Sequence, residues 1–172
     1  MSRGVVIGIT AKRTSCGHDV EDWGYQLART DHDVHADAVR ELAEALDTIA
    51  SSHTCRPGDV LFRQGQAADG VLVVRRGKVR LYAGSSDGDT RLPYRTVGPG
   101  YVLGLPALFS GQPYSLTAEA LEECVFGFVE RTRALELVRR RLDLCFQAAD
   151  LLARELRSLR EWQLTRMGIT VQ

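Results

Sequence analysis

An excess of charge of either sign is what this chain most plainly lacks: its 172 residues carry 22 basic and 22 acidic side chains, a formal charge of zero. Affinity for nucleic acid draws on a surplus of Lys and Arg, so the balance speaks against a generic polyanion binder. Long apolar runs are lacking too. The patch of Val5, Val6, Ile7 and Ile9, broken by Gly8, is too short for a signal-peptide core, and nothing approaches the roughly 18 apolar residues of a membrane span. A soluble, cytoplasmic protein without a membrane partner is expected. Cysteine is sparse: Cys16, Cys55, Cys124 and Cys145 have no CxxC spacing, which indicates neither a disulfide framework nor a zinc knuckle. Cys16, His18, His32, His35, His53 and Cys55 fix no ligand geometry and read as polar loop residues, so no metal is expected. Catalytic signatures are missing as well. There is no Walker loop, Gly4 and Gly8 are too sparse for a nucleotide fingerprint, and Gly-x-Ser-x-Gly does not occur. An enzyme is not expected.

What is present describes one ordinary domain with an appendage. The chain is 44% apolar, 26% charged and 7% aromatic, and long enough to bury a real core. The neutral total hides a gradient: residues 1–55 sum to −4, 56–130 to zero and 131–172 to +4. Residues 1–33 have no clear period and form an extension. From Asp37 to Ala50, Val39, Leu42, Ala43, Leu46 and Ile49 fall at helical spacing, with Asp37 as the expected N-cap. Arg56-Pro57-Gly58-Asp59 then turns the chain. Short β-like runs follow at Val60–Phe62, Val71–Val74, Val79–Tyr82, Leu92–Val97 and Cys124–Val129, punctuated by glycines. Such spacing indicates an antiparallel sandwich or roll rather than a βαβ sheet.

Beyond Arg131 the period returns to helical. Leu135 and Val138 suggest a short helix, and a longer one runs from Asp143 to about Arg166 without Gly or Pro. Its Cys145, Ala148, Leu152, Leu159 and Trp162 follow alternating steps of three and four, with a gap at Glu155. A helix of about 24 residues is about 36 Å long and overreaches a small roll. The expected dimer helix, 143–166, therefore uses Ala148, Leu152, Leu156, Leu159 and Trp162 against a second copy, making a homodimer. Domain boundaries are read as 1–33 for the extension, 34–130 for the roll with its leading helix, and 131–172 for the C-terminal helices.

The order of local motifs carries more than any one of them. Arg56-Pro57-Gly58-Asp59-Val60-Leu61-Phe62-Arg63-Gln64-Gly65 is followed by Val71-Leu72-Val73-Val74-Arg75-Arg76-Gly77-Lys78-Val79-Arg80-Leu81-Tyr82. Then come an Asp87-Gly88 hairpin turn and Val97-Gly98-Pro99-Gly100-Tyr101-Val102-Leu103-Gly104, leading into Leu105 to Ser115. From about residue 37 to 166 this succession resembles the cyclic-nucleotide-binding domain, the sensor half of Crp/Fnr-type bacterial regulators. The resemblance implies an α+β, mainly β fold: an antiparallel β-roll or jelly roll flanked by an N-terminal and a long C-terminal helix. It also implies ligand sensing, signal transduction and transcription regulation.

The last segment corresponds to the family's phosphate-binding cassette, with cassette positions Gly104, Leu105, Ala107, Leu108, Tyr114 and Ser115. In nucleotide-binding members a Gly-Glu pair opens it, the Glu takes the ribose 2′-hydroxyl, and an Arg nine residues on pairs with the cyclic phosphate. Here Leu105 stands at the Glu position and Tyr114 at the Arg position. Leu accepts no hydrogen bond, and Tyr offers one neutral donor where a cyclic phosphate wants a charge-assisted fork. Losing such a partner costs roughly 2–5 kcal/mol. Backbone N–H groups near Ala107 and Leu108 leave scope for a weakly held anion. Three readings stay open: a different, less charged small-molecule ligand, a vestigial cassette that only relays contacts, and retained weak cyclic AMP binding. Cyclic nucleotide as a bound cofactor is disfavoured by Leu105 and Tyr114.

Family regulators continue past the dimer helix into a winged helix-turn-helix, whereas six residues, Met167–Gln172, follow Arg166 here. Direct DNA binding by this chain is therefore not expected. Arg131, Arg133, Arg139, Arg140 and Arg141 read as a solvated helix face. The expectation is a non-enzymatic sensing module signalling through its dimer helix. The alternative is a shortened transcriptional regulator that retains weak cyclic AMP binding and acts with a DNA-binding partner.

Overall fold

The computed structural model describes residues 35–84 and 91–168. The extension 1–33 and the Asp87-Gly88 turn lie outside the described residues. In chain order the elements are α1 (His35–Asp47), β1 (Ser51–Cys55), β2 (Val60–Phe62), β3 (Gly70–Arg76), β4 (Val79–Gly84), β5 (Arg91–Val97), β6 (Val102–Leu103), α2 (Leu105–Ser110), β7 (Thr117–Ala120), β8 (Cys124–Glu130), α3 (Arg131–Arg140) and α4 (Leu142–Arg166). The strands form two four-stranded sheets, β1-β8-β3-β6 and β2-β7-β4-β5, and their pairs are antiparallel. The fold is α+β and mainly β, as the glycine-punctuated short strands imply.

The run Val71–Val74 reads as continuously apolar because β3 is covered on both faces. Leu72 and Val74 join Val79, Leu81, Val97, Leu103 and Phe126 between the sheets. Val71 and Val73 face the other way, into a helical layer built on Leu42, Leu46, Val129, Val138, Leu144 and Ala148. β3 and β4 belong to opposite sheets, and Gly77, with φ 92°, makes the corner between them. A Cβ there would lie 2.5 Å from the Cys124 Sγ and 2.6 Å from the Glu123 carbonyl oxygen, so only glycine fits.

Three strands escape sequence reading for separate reasons. β1, Ser-Ser-His-Thr-Cys, is a polar edge strand with only Cys55 buried; β6 has two residues; β7, Thr-Ala-Glu-Ala, is made of small and polar side chains. α1 starts at His35, so Asp37 lies inside the helix rather than capping it. It also ends earlier than the period suggests. Ile49 and Ala50 donate to the carbonyls of Leu46 and Asp47 at 3.2 Å, a tightened closing turn that leads into β1. α3 falls where Leu135 and Val138 place a short helix, and α4 runs one residue longer at its start than expected. Among the described residues no helix is long and apolar enough to cross a membrane.

Candidate ligand cassette and the helix that faces it

Gly104, the first of the expected cassette positions, has φ 84°, a left-handed conformation that lets α2 start directly after β6. Pro106 sits in the first turn of α2, where its missing N–H removes no helical bond. Gly111, φ 68°, closes the helix by donating to the Ala107 carbonyl at 3.0 Å. The helix buries Leu105, Ala107 and Leu108. Leu105 and Leu108 belong to the helical layer, and Ala107 packs into the space between the sheets. The Leu108 N–H donates to the Gly104 carbonyl at 3.0 Å, which commits it inside α2. Phe109 and Ser115 lie on the surface.

Tyr114 turns inward. Only 5% of its surface is exposed, and its ring stacks on Phe62 with centroids 4.0 Å apart and planes at 19°. Its hydroxyl donates to the Gly70 carbonyl at 2.7 Å. Burial pushes the phenol above its ordinary range, so it remains a neutral donor. The backbone is pinned on both sides: Tyr114 N–H donates to the Gln66 carbonyl at 3.0 Å and the Gly65 N–H to the Tyr114 carbonyl at 2.8 Å. A Cβ on Gly104 would approach the Tyr114 Cε1 to 2.8 Å. Gly104 and Tyr114 are thus brought together, with the ring bridging from Phe62 to β3 beneath the start of α2.

α4 presents two apolar stripes, and the structure separates them. Ala148, expected to face a second copy, is 1% exposed in the chain's own helical layer, so that position does not belong to a partner-facing surface. Leu152 is half-buried against the same layer, and Leu159 is also half-buried. Trp162 donates from Nε1 to the Pro93 carbonyl at 3.0 Å and meets the Tyr94 ring edge-on at 5.7 Å. Leu156 is different: it is 55% exposed. It continues a second run, Leu142, Phe146, Ala149 and Ala153, at steps of four and three along the outward face, where Leu142 is 72% and Phe146 70% exposed. A shallow groove lined by Ala153, Leu156, Arg157, Arg160, Glu161 and Leu164 extends this face.

Between α4 and the roll lies a polar cluster that sequence reading misses. Tyr101 OH donates to Glu155 Oε2 at 3.0 Å. Arg95 Nη1 stands 3.6 Å from that same oxygen, and its Nη2 donates to Tyr94 OH at 2.8 Å. The guanidinium also lies over the Tyr94 ring, 4.7 Å from its centroid. Burial first, and the Glu155 carboxylate second, push both the Tyr101 and Tyr94 phenols far above their ordinary range. The signal that could have found this cluster is the gap in the first stripe: Glu155 is the carboxylate that interrupts it.

Residues 52–141 match the family described as cyclic nucleotide-binding domain. The HTH-type transcriptional regulator Cmr of Mycobacterium tuberculosis (strain CDC 1551 / Oshkosh) is 35% identical over 98 residues, 57% of this chain and 38% of its own. Among solved structures, the catabolite activator protein of Thermus thermophilus aligns with a TM-score of 0.63 at 26% identity, covering 80% of this chain and 62% of that one. FixK2 of Bradyrhizobium japonicum gives 0.60 at 27% identity, covering 67% and 57%. The N-terminal domain of a Streptomyces coelicolor A3(2) transcriptional regulator gives 0.55 at 29% identity, covering 70% and 83%. This chain therefore spans about two fifths of the length of the Cmr regulator and about three fifths of the Thermus chain. The family match covers more than half of the chain: the chain belongs to the cyclic nucleotide-binding domain family, with Crp/Fnr-type regulators as its structural neighbours.

Proposed function

We propose that this chain is a non-enzymatic ligand-sensing module in which the cassette no longer takes an ordinary cyclic nucleotide through charged anchors, and in which α4 carries the output. The observation that supports this most is Tyr114. At the position where the family places a phosphate-binding Arg, a neutral phenol spends its one donor on Gly70 and its ring on Phe62. Leu105, at the position of the ribose-binding Glu, is packed into the helical layer and offers no acceptor. The residues present do not fit a cyclic phosphate. They suit a less charged, more apolar small molecule.

Output follows from the position of α4. Its inward stripe is spent on the chain's own core, whereas Leu142, Phe146, Ala149, Ala153 and Leu156 remain at the spacing of a two-helix seam. A second copy of the chain covers this face, giving a homodimer related by a two-fold axis. A ligand that favours one pose of α4 shifts that dimer between states by its difference in affinity for them. Identification by mass spectrometry of any small molecule carried through purification tests the ligand class. An apolar or weakly charged compound supports the proposal, and a stoichiometric cyclic nucleotide overturns it.

A second reading has its own support. The Mycobacterium relative is named as an HTH-type transcriptional regulator, so the alternative is the sensing part of a regulator that keeps weak cyclic AMP affinity and works with a DNA-binding partner.

A further inference from the structure

We infer that Tyr101 and Glu155 form the contact through which the cassette sets the position of the second half of α4, with Arg95 as their counter-charge. The inference rests on the reading of the cassette as input and α4 as output, and it assigns the residues that join them.

Tyr101 is placed for this. It directly precedes β6 and stands three residues before Gly104. Its backbone is tied to the roll, with its carbonyl accepting from the Val74 N–H at 3.0 Å and its own N–H donating to Gly98 at 3.2 Å. Only the side chain leaves the roll, and its hydroxyl ends 3.0 Å from Glu155. Any shift of β6 and the start of α2 is delivered to that hydroxyl.

Glu155 is a costly residue to put there if packing alone matters. It lies between Leu152 and Leu159 on the inward stripe, with 19% of its side chain exposed. An apolar residue would dock the helix at least as well, because a half-buried carboxylate loses hydration that an ion pair only partly restores. What a carboxylate adds is direction. Apolar contacts slide, whereas a hydrogen bond weakens steeply with distance and angle, so the Tyr101 bond selects one pose of the helix. Arg95 keeps the charge tolerable without replacing that bond: it stands 3.6 Å away and spends its hydrogen bond on Tyr94.

The consequence is a helix held in two ways. Leu144 and Ala148 fix its first half by burial in the core. Its second half is held by the polar contact at Glu155 and, seven residues on, by Trp162 against Tyr94 and Pro93. The first half packs in the layer that also holds Leu105 and Leu108, and the second half, beyond that layer, is the part that the Tyr101–Glu155 contact reaches.

The test uses the whole chain without any ligand. Trp162 is the reporter, in a Trp23→Phe background that removes the other tryptophan. The cassette is perturbed by Tyr114→Phe, which deletes the bond to Gly70, and independently by Gly104→Ala, whose Cβ must displace the Tyr114 ring. Amide exchange is followed over 104–115 and over 156–166, together with Trp162 emission. Either perturbation is expected to speed exchange at both segments, by about fivefold to tenfold for a lost hydrogen bond of ordinary net strength, and to shift the emission. Adding Tyr101→Phe or Glu155→Leu is expected to leave the cassette response intact and abolish the added response of α4. Glu155→Gln, which keeps an acceptor for Tyr101, is expected to preserve it. An α4 response that persists in Glu155→Leu, or is absent in the parent, overturns the inference. Because no ligand is involved, either failure is separable from a failure of the ligand-class proposal, which is read by what the protein carries through purification.

Discussion

Tyr114 is committed to the interior at both ends, its ring stacked on Phe62 and its hydroxyl donating to the Gly70 carbonyl. The resemblance aligns the position with an arginine, but whether a tyrosine there points out or in depends on Phe62 and on Gly70, 44 residues away in sequence. Local pattern carries no information on that choice. The cysteines are a simpler case at the same scale. Cys55 and Cys124 face each other in register across β1 and β8 and are buried, while Cys145 is exposed. Burial first, then the neighbouring Cys124, push the Cys55 thiol up to about 12. The thiolate is the reactive form, so Cys55 is inert near neutral pH. In a Cys16→Ser variant, a chromogenic disulfide reagent at pH 8 is expected to titrate one thiol, Cys145, in the native protein and three after unfolding. Rapid native modification of Cys55 or Cys124 would contradict this.

At the level of elements, α4 carries the information that sequence could offer only in part. Two apolar stripes run along it at seam-like spacing, and spacing alone does not say which one meets the chain's own roll. The answer lies in contacts distant in sequence, such as Trp162 with Pro93, 69 residues apart. The strands divide in the same way. Val71–Val74 and Cys124–Val129 announce themselves by apolar content, whereas β1 is held as an edge by β8 and has no period of its own. If the outward stripe is the dimer face, Phe146→Glu with Leu156→Glu is expected to give a monomer by sedimentation at concentrations where the parent sediments as a dimer. A parent chain that stays monomeric at high micromolar concentration would refute the dimer.

The start of α4 also makes a pH-dependent prediction. Hydrogen bonds from the Arg141 Nε at 2.9 Å and 3.2 Å hold the Asp143 carboxylate at a pKa of about 2, below its ordinary value of 3.8. The charge also sits in the first helical turn, where the helix dipole favours it. A depressed folded-state pKa gives stability that is present above the unfolded value and lost as pH falls toward the folded one. Asp143→Asn is therefore expected to lower the melting temperature at pH 7, with the difference from the parent closing as pH approaches about 2. An Asn variant equally stable at pH 7 would show that this exposed pair contributes nothing.

For the molecule as a whole, the neutral total charge hides an uneven one: residues 56–130 sum to zero and 131–172 to +4. The order of motifs from Arg56 to Ser115 was enough to read the roll and the family, because turns and apolar runs there are local. The link between cassette and helix was not legible, since Arg95, Tyr101 and Glu155 meet only after the two sheets close. We propose that Leu105 and Tyr114 leave this roll without the two charged anchors that nucleotide-binding members of the family use. Calorimetric titration of the full chain with cyclic AMP and cyclic GMP tests it most directly. Without charge-assisted contacts, no binding tighter than about 100 μM is expected; a dissociation constant in the low micromolar range for either nucleotide would overturn the proposal.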